Sequence, residues 1–104
     1  MKQVNAEFKP FYQNKNAEKK YQIASPAERI EALRLAGHTD KAIDEGIRCK
    51  LTGISRSTWD RMSKDKEVPK PFAGFKKNRW MLSEILVFMY RKSGILPQPN
   101  DNTN

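Results

Sequence analysis

The stretch that decides the fold reads Leu51-Thr52-Gly53-Ile54-Ser55-Arg56-Ser57-Thr58-Trp59. Gly53 suits the left-handed conformation with which helices commonly end. Ser55 is a strong N-cap residue, and Ile54 and Trp59 stand at the spacing of a hydrophobic staple around it. The stretch therefore predicts one helix ending near Thr52, a tight turn, and a second helix starting after Ser55.

The second of these helices has two different faces and fades near Lys64. Trp59 and Met62 stand three residues apart on one face, which we expect to be buried. The opposite arc carries Arg56, Ser57, Asp60 and Arg61. Arginine and serine donors suit phosphate oxygens and base edges, so this pattern is typical of a helix that enters the DNA major groove. The alternative is a two-helix corner packed in a core.

Upstream, the stretch Ser25-Pro26-Ala27-Glu28 combines an N-cap serine, a proline at the first helical position and the glutamate of a capping box. It predicts a helix that ends at Gly37 and buries Ile30 and Leu33. A further helix is predicted from a cap at residue 39 or 40 to about residue 52. Its apolar stripe recurs at every fourth position and consists of Ile43, Ile47 and Leu51.

Downstream, the stretch Val68-Pro69-Lys70-Pro71 cannot be helical, because each proline forces its predecessor into an extended conformation. Residues 72–81 predict a two-stranded ribbon, and its turn includes Lys76, Lys77, Asn78 and Arg79. A last helix is expected to start at Leu82 or Ser83 and to end at Gly94. Its apolar face consists of Ile85, Leu86, Phe88 and Met89.

The order helix, turn, basic helix, ribbon, helix predicts a mainly α fold with a small β-hairpin. It corresponds to a winged helix-turn-helix with an extra N-terminal helix, spanning residues 25–96. Residues 1–24 are basic and predict a flexible arm that orders on binding, although Phe8, Phe11, Tyr12 and Tyr21 leave open packing on the body or on a second copy. Residues 97–104 predict a loose polar tail.

Charge points to the class of partner. The chain of 104 residues has a net charge of +8, and residues 47–96 hold twelve basic and four acidic side chains. Charge thus accumulates on the predicted helix-turn-helix and ribbon, which indicates a polyanionic partner, and nucleic acid fits better than a membrane surface. The alternative is that the positive charge only keeps the protein soluble and has no polyanionic partner.

Composition argues against several classes of function. No apolar run approaches the roughly 20 residues that a membrane-spanning helix needs. The single Cys49 and the single His38 cannot build a four-ligand metal cluster, and neither belongs to a catalytic constellation. We expect Cys49 to be a packing residue, and we expect no cofactor, no bound metal and no catalysis. The absence of a secretory pattern together with one cysteine predicts a cytoplasmic location.

Residues 47–93 resemble the AlpA-type phage regulatory proteins, within the MerR-like and excisionase-like winged helices. The matching blocks are Leu51 to Thr58 followed by Arg61, then Val68-Pro69-Lys70-Pro71, then Trp80 and Ser83-Glu84-Ile85. The chain departs from the pattern where Arg48 replaces an apolar residue and Trp59 a smaller aliphatic one. The resemblance implies a small DNA-binding regulator of a prophage or integrative element, acting in transcription or as an excisionase-like directionality factor.

The expected partner is double-stranded DNA, contacted by recognition helix and wing. The predicted DNA-binding residues are Ser55, Arg56, Ser57, Arg61, Lys64, Lys66, Lys76, Lys77, Asn78 and Arg79. One such module makes few base contacts, so we expect sequence-specific binding to require self-association of several copies on the DNA. The alternative function is a protein-interaction module that binds an integrase or another acidic partner.

Overall fold

The computed structural model describes residues 20–99, and local sequence signals account for the bounds of its first helix. Helix α1 spans Pro26–Ala36, and Ser25 and Glu28 form the predicted reciprocal capping box at its start. Gly37 ends the helix in the left-handed conformation, with φ 72°. The predicted face is wrong: Ile30 is 67% exposed, and Ala32 is the residue of α1 that is fully buried. Leu33 is partly buried against the core.

The next elements are a short strand, β1 (Ala42–Asp44), and helix α2 (Glu45–Thr52). The prediction that α2 starts at residue 39 or 40 is therefore wrong, although its end is confirmed. Asp44 is the actual N-cap and accepts a hydrogen bond from the Ile47 amide at 3.0 Å. Asp40 instead serves the last helix, where its carboxylate accepts from the Ser83 amide at 2.8 Å and from the Ser83 hydroxyl at 2.7 Å.

Helix α3 spans Arg56–Lys64, with the N-cap at Ser55 as predicted. The turn between α2 and α3 contains Gly53 in the left-handed conformation, with φ 72°. Trp59 and Met62 are buried, and the outward arc of α3 is exposed, so the predicted register of this helix is confirmed.

The sheet is small and antiparallel, as the mainly α fold class with a minor β component predicts. Strand β2 (Arg79–Met81) pairs with β1, and Ile43 lies opposite Trp80. The prediction that residues 72–81 pair with themselves is wrong, because β2 takes its partner from the segment before α2. The loop between Phe72 and Arg79 is closed by a single backbone hydrogen bond, which the Phe72 amide donates to the Arg79 carbonyl at 2.8 Å.

The last helix, α4 (Leu82–Ser93), is the centre of the core, and its bounds are as predicted. Of its expected apolar residues, Met89 is only partly buried, and the others are buried together with Val87 and Ser83, because α1, α2 and β2 all contact α4. Residues 20–24 pack on its surface, where Tyr21 meets Phe88 edge-on at 6.2 Å between ring centroids. The predicted arm lies outside the described residues up to position 19, and so does the tail beyond position 99.

Candidate nucleic-acid interface

Helix α3 presents a polar arc because its apolar residues are committed to the core. Trp59 packs edge-on against Trp80 and Phe88, with ring centroids 5.9 and 5.5 Å apart. This anchoring turns the opposite side outward, and its exposed residues are Arg56, Ser57, Asp60, Arg61 and Lys64. The Ser55 hydroxyl accepts a hydrogen bond from the Thr58 amide at 3.3 Å, so it caps the helix at the edge of the same surface.

The start of α3 and the loop that leads into β2 line one open groove of about 570 Å³. Its cationic and amide side chains are Arg56, Lys76, Lys77, Asn78 and Arg79, and its third wall is formed by Asp44, Glu45 and Gly46 at the start of α2. We call it the basic groove. Four cationic side chains face two carboxylates here, so the groove favours an anion.

Both carboxylates of the basic groove are engaged within the protein. Asp44 caps α2 and lies 3.9 Å from the Arg79 guanidinium across the sheet. Glu45 forms an ion pair with Arg48. Arg56, Lys76 and Lys77 are exposed, so their charge is directed to solvent.

The loop that carries Lys76 to Arg79 is held at its base. The Phe72–Arg79 hydrogen bond closes it, and the rings of Phe72 and Phe75 pack at 5.8 Å between centroids. Gly74 has φ 95°, a conformation that other residues rarely adopt. The Trp80 indole donates to the Pro69 carbonyl at 3.1 Å, which fixes the start of β2 against the preceding proline-rich segment.

Arg48 is a site-supporting residue that sequence reasoning did not assign. It is fully buried, with its guanidinium carbon 4.3 Å from the Trp59 ring centroid and 5.9 Å from that of Trp80. It donates to the Ile54 carbonyl at 2.6 Å, inside the turn, and pairs with Glu45 at the groove wall. Its Nε has no hydrogen-bond partner. The signal in the sequence was an arginine at a position where an apolar residue was expected, in a chain with two tryptophans.

The structure does not bring every predicted site residue into the basic groove. Arg61 and Lys64 are exposed on α3 but do not line the groove. Lys66 lies elsewhere, after the end of α3, in the left-handed conformation with φ 61°. Its carbonyl accepts the Tyr21 amide at 2.7 Å, and its side chain lines a second groove.

Within residues 20–99, no three side chains among histidine, cysteine, aspartate and glutamate come together as they would around a metal ion. None of the helices in this range has the length and apolar character required to cross a bilayer.

Comparisons with protein-family models, with curated proteins and with solved structures find no match for the chain. The geometry and charge of the basic groove are therefore the observations that identify it as a candidate interface.

Proposed function

We propose that α2, the turn at residues 53–55 and α3 form a helix-turn-helix that binds double-stranded DNA, with the loop at residues 72–79 as its wing. The observation that carries the proposal is the basic groove, in which Arg56 and Lys76 to Arg79 line one surface although they are far apart in sequence. An exposed polar helix beside a cationic loop matches the way such proteins contact a major groove and the flanking backbone.

Each part of the surface has a distinct role in this proposal. Arg56, Ser57 and Arg61 approach base edges, since they occupy the exposed arc of α3. Lys76 and Lys77 neutralise backbone phosphates, which carry no sequence information. Arg79 is held beside Asp44, so it contributes less to DNA affinity than the two lysines.

The biological setting is proposed from the sequence resemblance. A small DNA-binding protein similar to AlpA-type regulators would control genes of a prophage or integrative element, or assist an integrase during excision. Both roles need sequence-specific binding.

Selection of random DNA duplexes by the full chain, followed by sequencing, tests this function. We expect one short motif to be enriched, and Arg56→Ala to abolish the enrichment. Arg34→Ala is the matched control, because Arg34 is an exposed arginine of α1, away from the basic groove, that forms an ion pair with Glu31. Retention of the motif by Arg56→Ala, or no motif with the wild-type chain, would reject sequence-specific binding by α3.

A further inference from the structure

A second groove of about 450 Å³ lies apart from the basic groove, and the two linings share no residue. Its apolar surface includes Tyr21, Ile23, Val68, Phe72 and Met81. We call it the apolar groove. Its volume falls in the roughly 300–1,000 Å³ range of clefts that bind small ligands.

The walls of the apolar groove are fixed, and its rim is exposed. Tyr21 is tied to the end of α3 through its amide and to Glu84 of α4 through its hydroxyl. Ile23 is 83% exposed, so it adds apolar surface at the edge of the groove. The site is therefore formed in advance and offers apolar area to a partner.

Charge at the rim selects the partner. Lys66 and Lys70 are exposed and line the groove. The lining carboxylate, Glu84, already accepts hydrogen bonds from the Tyr21 hydroxyl and from the Ala24 amide. Arg29 is likewise compensated, since it lies 3.3 Å from Asp40. Lys20 is also exposed and lines the groove, so three lysines leave a positive rim around an apolar floor.

We infer that the apolar groove binds an acidic segment of a partner protein through one or two large apolar side chains, with carboxylates of that segment against Lys66 and Lys70. DNA fits less well, because phosphates are bound by polar donors and gain nothing from an apolar floor. Residues 1–19 of the chain carry four lysines and two glutamates, so they have the same sign of charge as the rim.

A second copy of the chain is also a poorer occupant. The exposed apolar residues Ile30 and Leu35 belong to α1, whose two glutamates are balanced by two arginines. The carboxylates beside them are already paired, Glu31 with Arg34 and Glu28 with Arg91. A second copy therefore brings few uncompensated carboxylates to the lysines.

The test is a fluorescence-anisotropy titration of the full chain into a fluorescein-labelled peptide with a central Phe-Leu pair flanked on both sides by aspartates and glutamates. We expect saturable binding that is lost when the Phe-Leu pair is replaced by Gly-Ser. The double variant Lys66→Glu, Lys70→Glu should weaken binding by about tenfold or more. The double variant Lys76→Glu, Lys77→Glu is the matched control, because it changes net charge equally and should leave peptide affinity unchanged.

A random-sequence DNA duplex serves as the second probe for the same variants. The variant at 66 and 70 should lose less duplex affinity than the variant at 76 and 77, because Lys66 and Lys70 lie outside the basic groove. Lys70→Glu alone, outside any helix or strand, repeats the peptide test without altering the left-handed Lys66. The assignment would be overturned by absence of saturable peptide binding or by equal weakening of peptide binding in both double variants. It would also be overturned if the variant at 66 and 70 lost as much duplex affinity as the variant at 76 and 77, or if that variant abolished self-association of the chain.

Discussion

The guanidinium carbon of Arg48 lies 4.3 Å from the ring centroid of Trp59. The cationic side chain on α2 and the aromatic ring on α3 pack against each other between the turn and β2, since Arg48 donates to the Ile54 carbonyl and Trp59 contacts Trp80. Arg48 also pairs with Glu45 of the basic groove, so the interior of the domain is connected directly to the proposed DNA surface.

Arg48→Ala should lower the free energy of unfolding by about 2–5 kcal/mol, the range for truncating a large, fully buried side chain to alanine. The alanine leaves space between two indole rings, and it removes the donors to the Ile54 carbonyl and to Thr52. Arg48→Met should cost less, since its side chain refills the space and buries no charge. Denaturant unfolding of both variants measures the difference.

The exposed Arg34 supplies the control for this series. Arg34→Ala should change stability little, because Arg34 and Glu31 form a solvent-exposed ion pair. A loss in Arg48→Ala as small as that of Arg34→Ala would contradict the supporting role of the buried arginine.

Trp59→Ala should unfold the domain or nearly so. The side chain is 3% exposed and packs on two aromatic rings and on Arg48, so its truncation costs roughly 3–5 kcal/mol. Trp59→Phe keeps a ring in the same place and should lose less. Thermal melts followed by circular dichroism compare them, and an unchanged midpoint in Trp59→Ala would show that this ring contributes little to the core.

The helix ends were predictable because their causes are local. Ser25 and Ser55 cap with their own side chains, and Gly53 ends α2 through its own backbone freedom. In each case the residue that decides the boundary stands at the boundary. The outward arc of α3 followed in the same way from the spacing of Trp59 and Met62.

The sheet could not be predicted locally, because its pairing joins distant parts of the chain. Ile43, Ile47 and Leu51 stand four residues apart, as a helix stripe would, yet Ile43 is buried as the strand partner of Trp80. Ile47 is 40% exposed and gives the stripe no support. Long-range pairing overrode a periodic pattern of only three residues.

The composition of the site was only partly predictable for a related reason. The basic groove needed the fold to bring Arg56 beside Lys76 and Lys77, and the sequence suggested both parts separately. Lys66 was grouped with them because it follows α3 closely in sequence. Its left-handed backbone turns the chain after the helix, and its side chain lines the apolar groove instead.

Stability should fall as the medium becomes acidic, in part because of Glu28. Its hydrogen bond with Arg91 holds the pKa of the carboxyl below its ordinary value of 4.5. A carboxyl whose pKa is lower in the folded state than in the unfolded state stabilises the fold. This contribution is fully present when the pH is above the unfolded-state pKa, and it is lost as the pH falls through the folded-state pKa. Glu28→Gln keeps the capping acceptor for Ser25 and should cost about 1 kcal/mol at pH 7.

The difference between wild type and Glu28→Gln should shrink as the pH is lowered below 4.5, the ordinary value for this carboxyl. Denaturant unfolding at several pH values measures it. Glu67 provides a contrast, because burial and the nearby Asp65 raise the pKa of its carboxyl. Glu67→Gln should therefore show the opposite sign near neutral pH. A pH-independent gap for Glu28→Gln would exclude the ion pair with Arg91 as its cause.

Arg56→Ala and Arg61→Ala should each weaken binding to a selected DNA site by about 1–3 kcal/mol while leaving the fold intact, if each arginine contacts a base edge. Both side chains are exposed on α3, so neither contributes to the core. Titration of a labelled duplex gives the affinities, and circular dichroism melts give the stabilities. Wild-type affinity in both folded variants would remove α3 from the interface.

The salt dependence of DNA binding separates phosphate contacts from base contacts. If α3 and the loop neutralise about five phosphates, log affinity should fall against log salt with a slope of roughly −4 to −5. Replacing Lys76 and Lys77 with alanine should flatten the slope by about 1–2 and weaken a specific and a random duplex alike, because the two lysines would contact only the backbone. We expect this because Lys76 and Lys77 are exposed beside Arg56 in the basic groove. Titrations at several salt concentrations on both duplexes make the comparison. A wild-type slope in the double variant would mean that the loop is solvated, and an acidic protein would then be the better candidate for this surface.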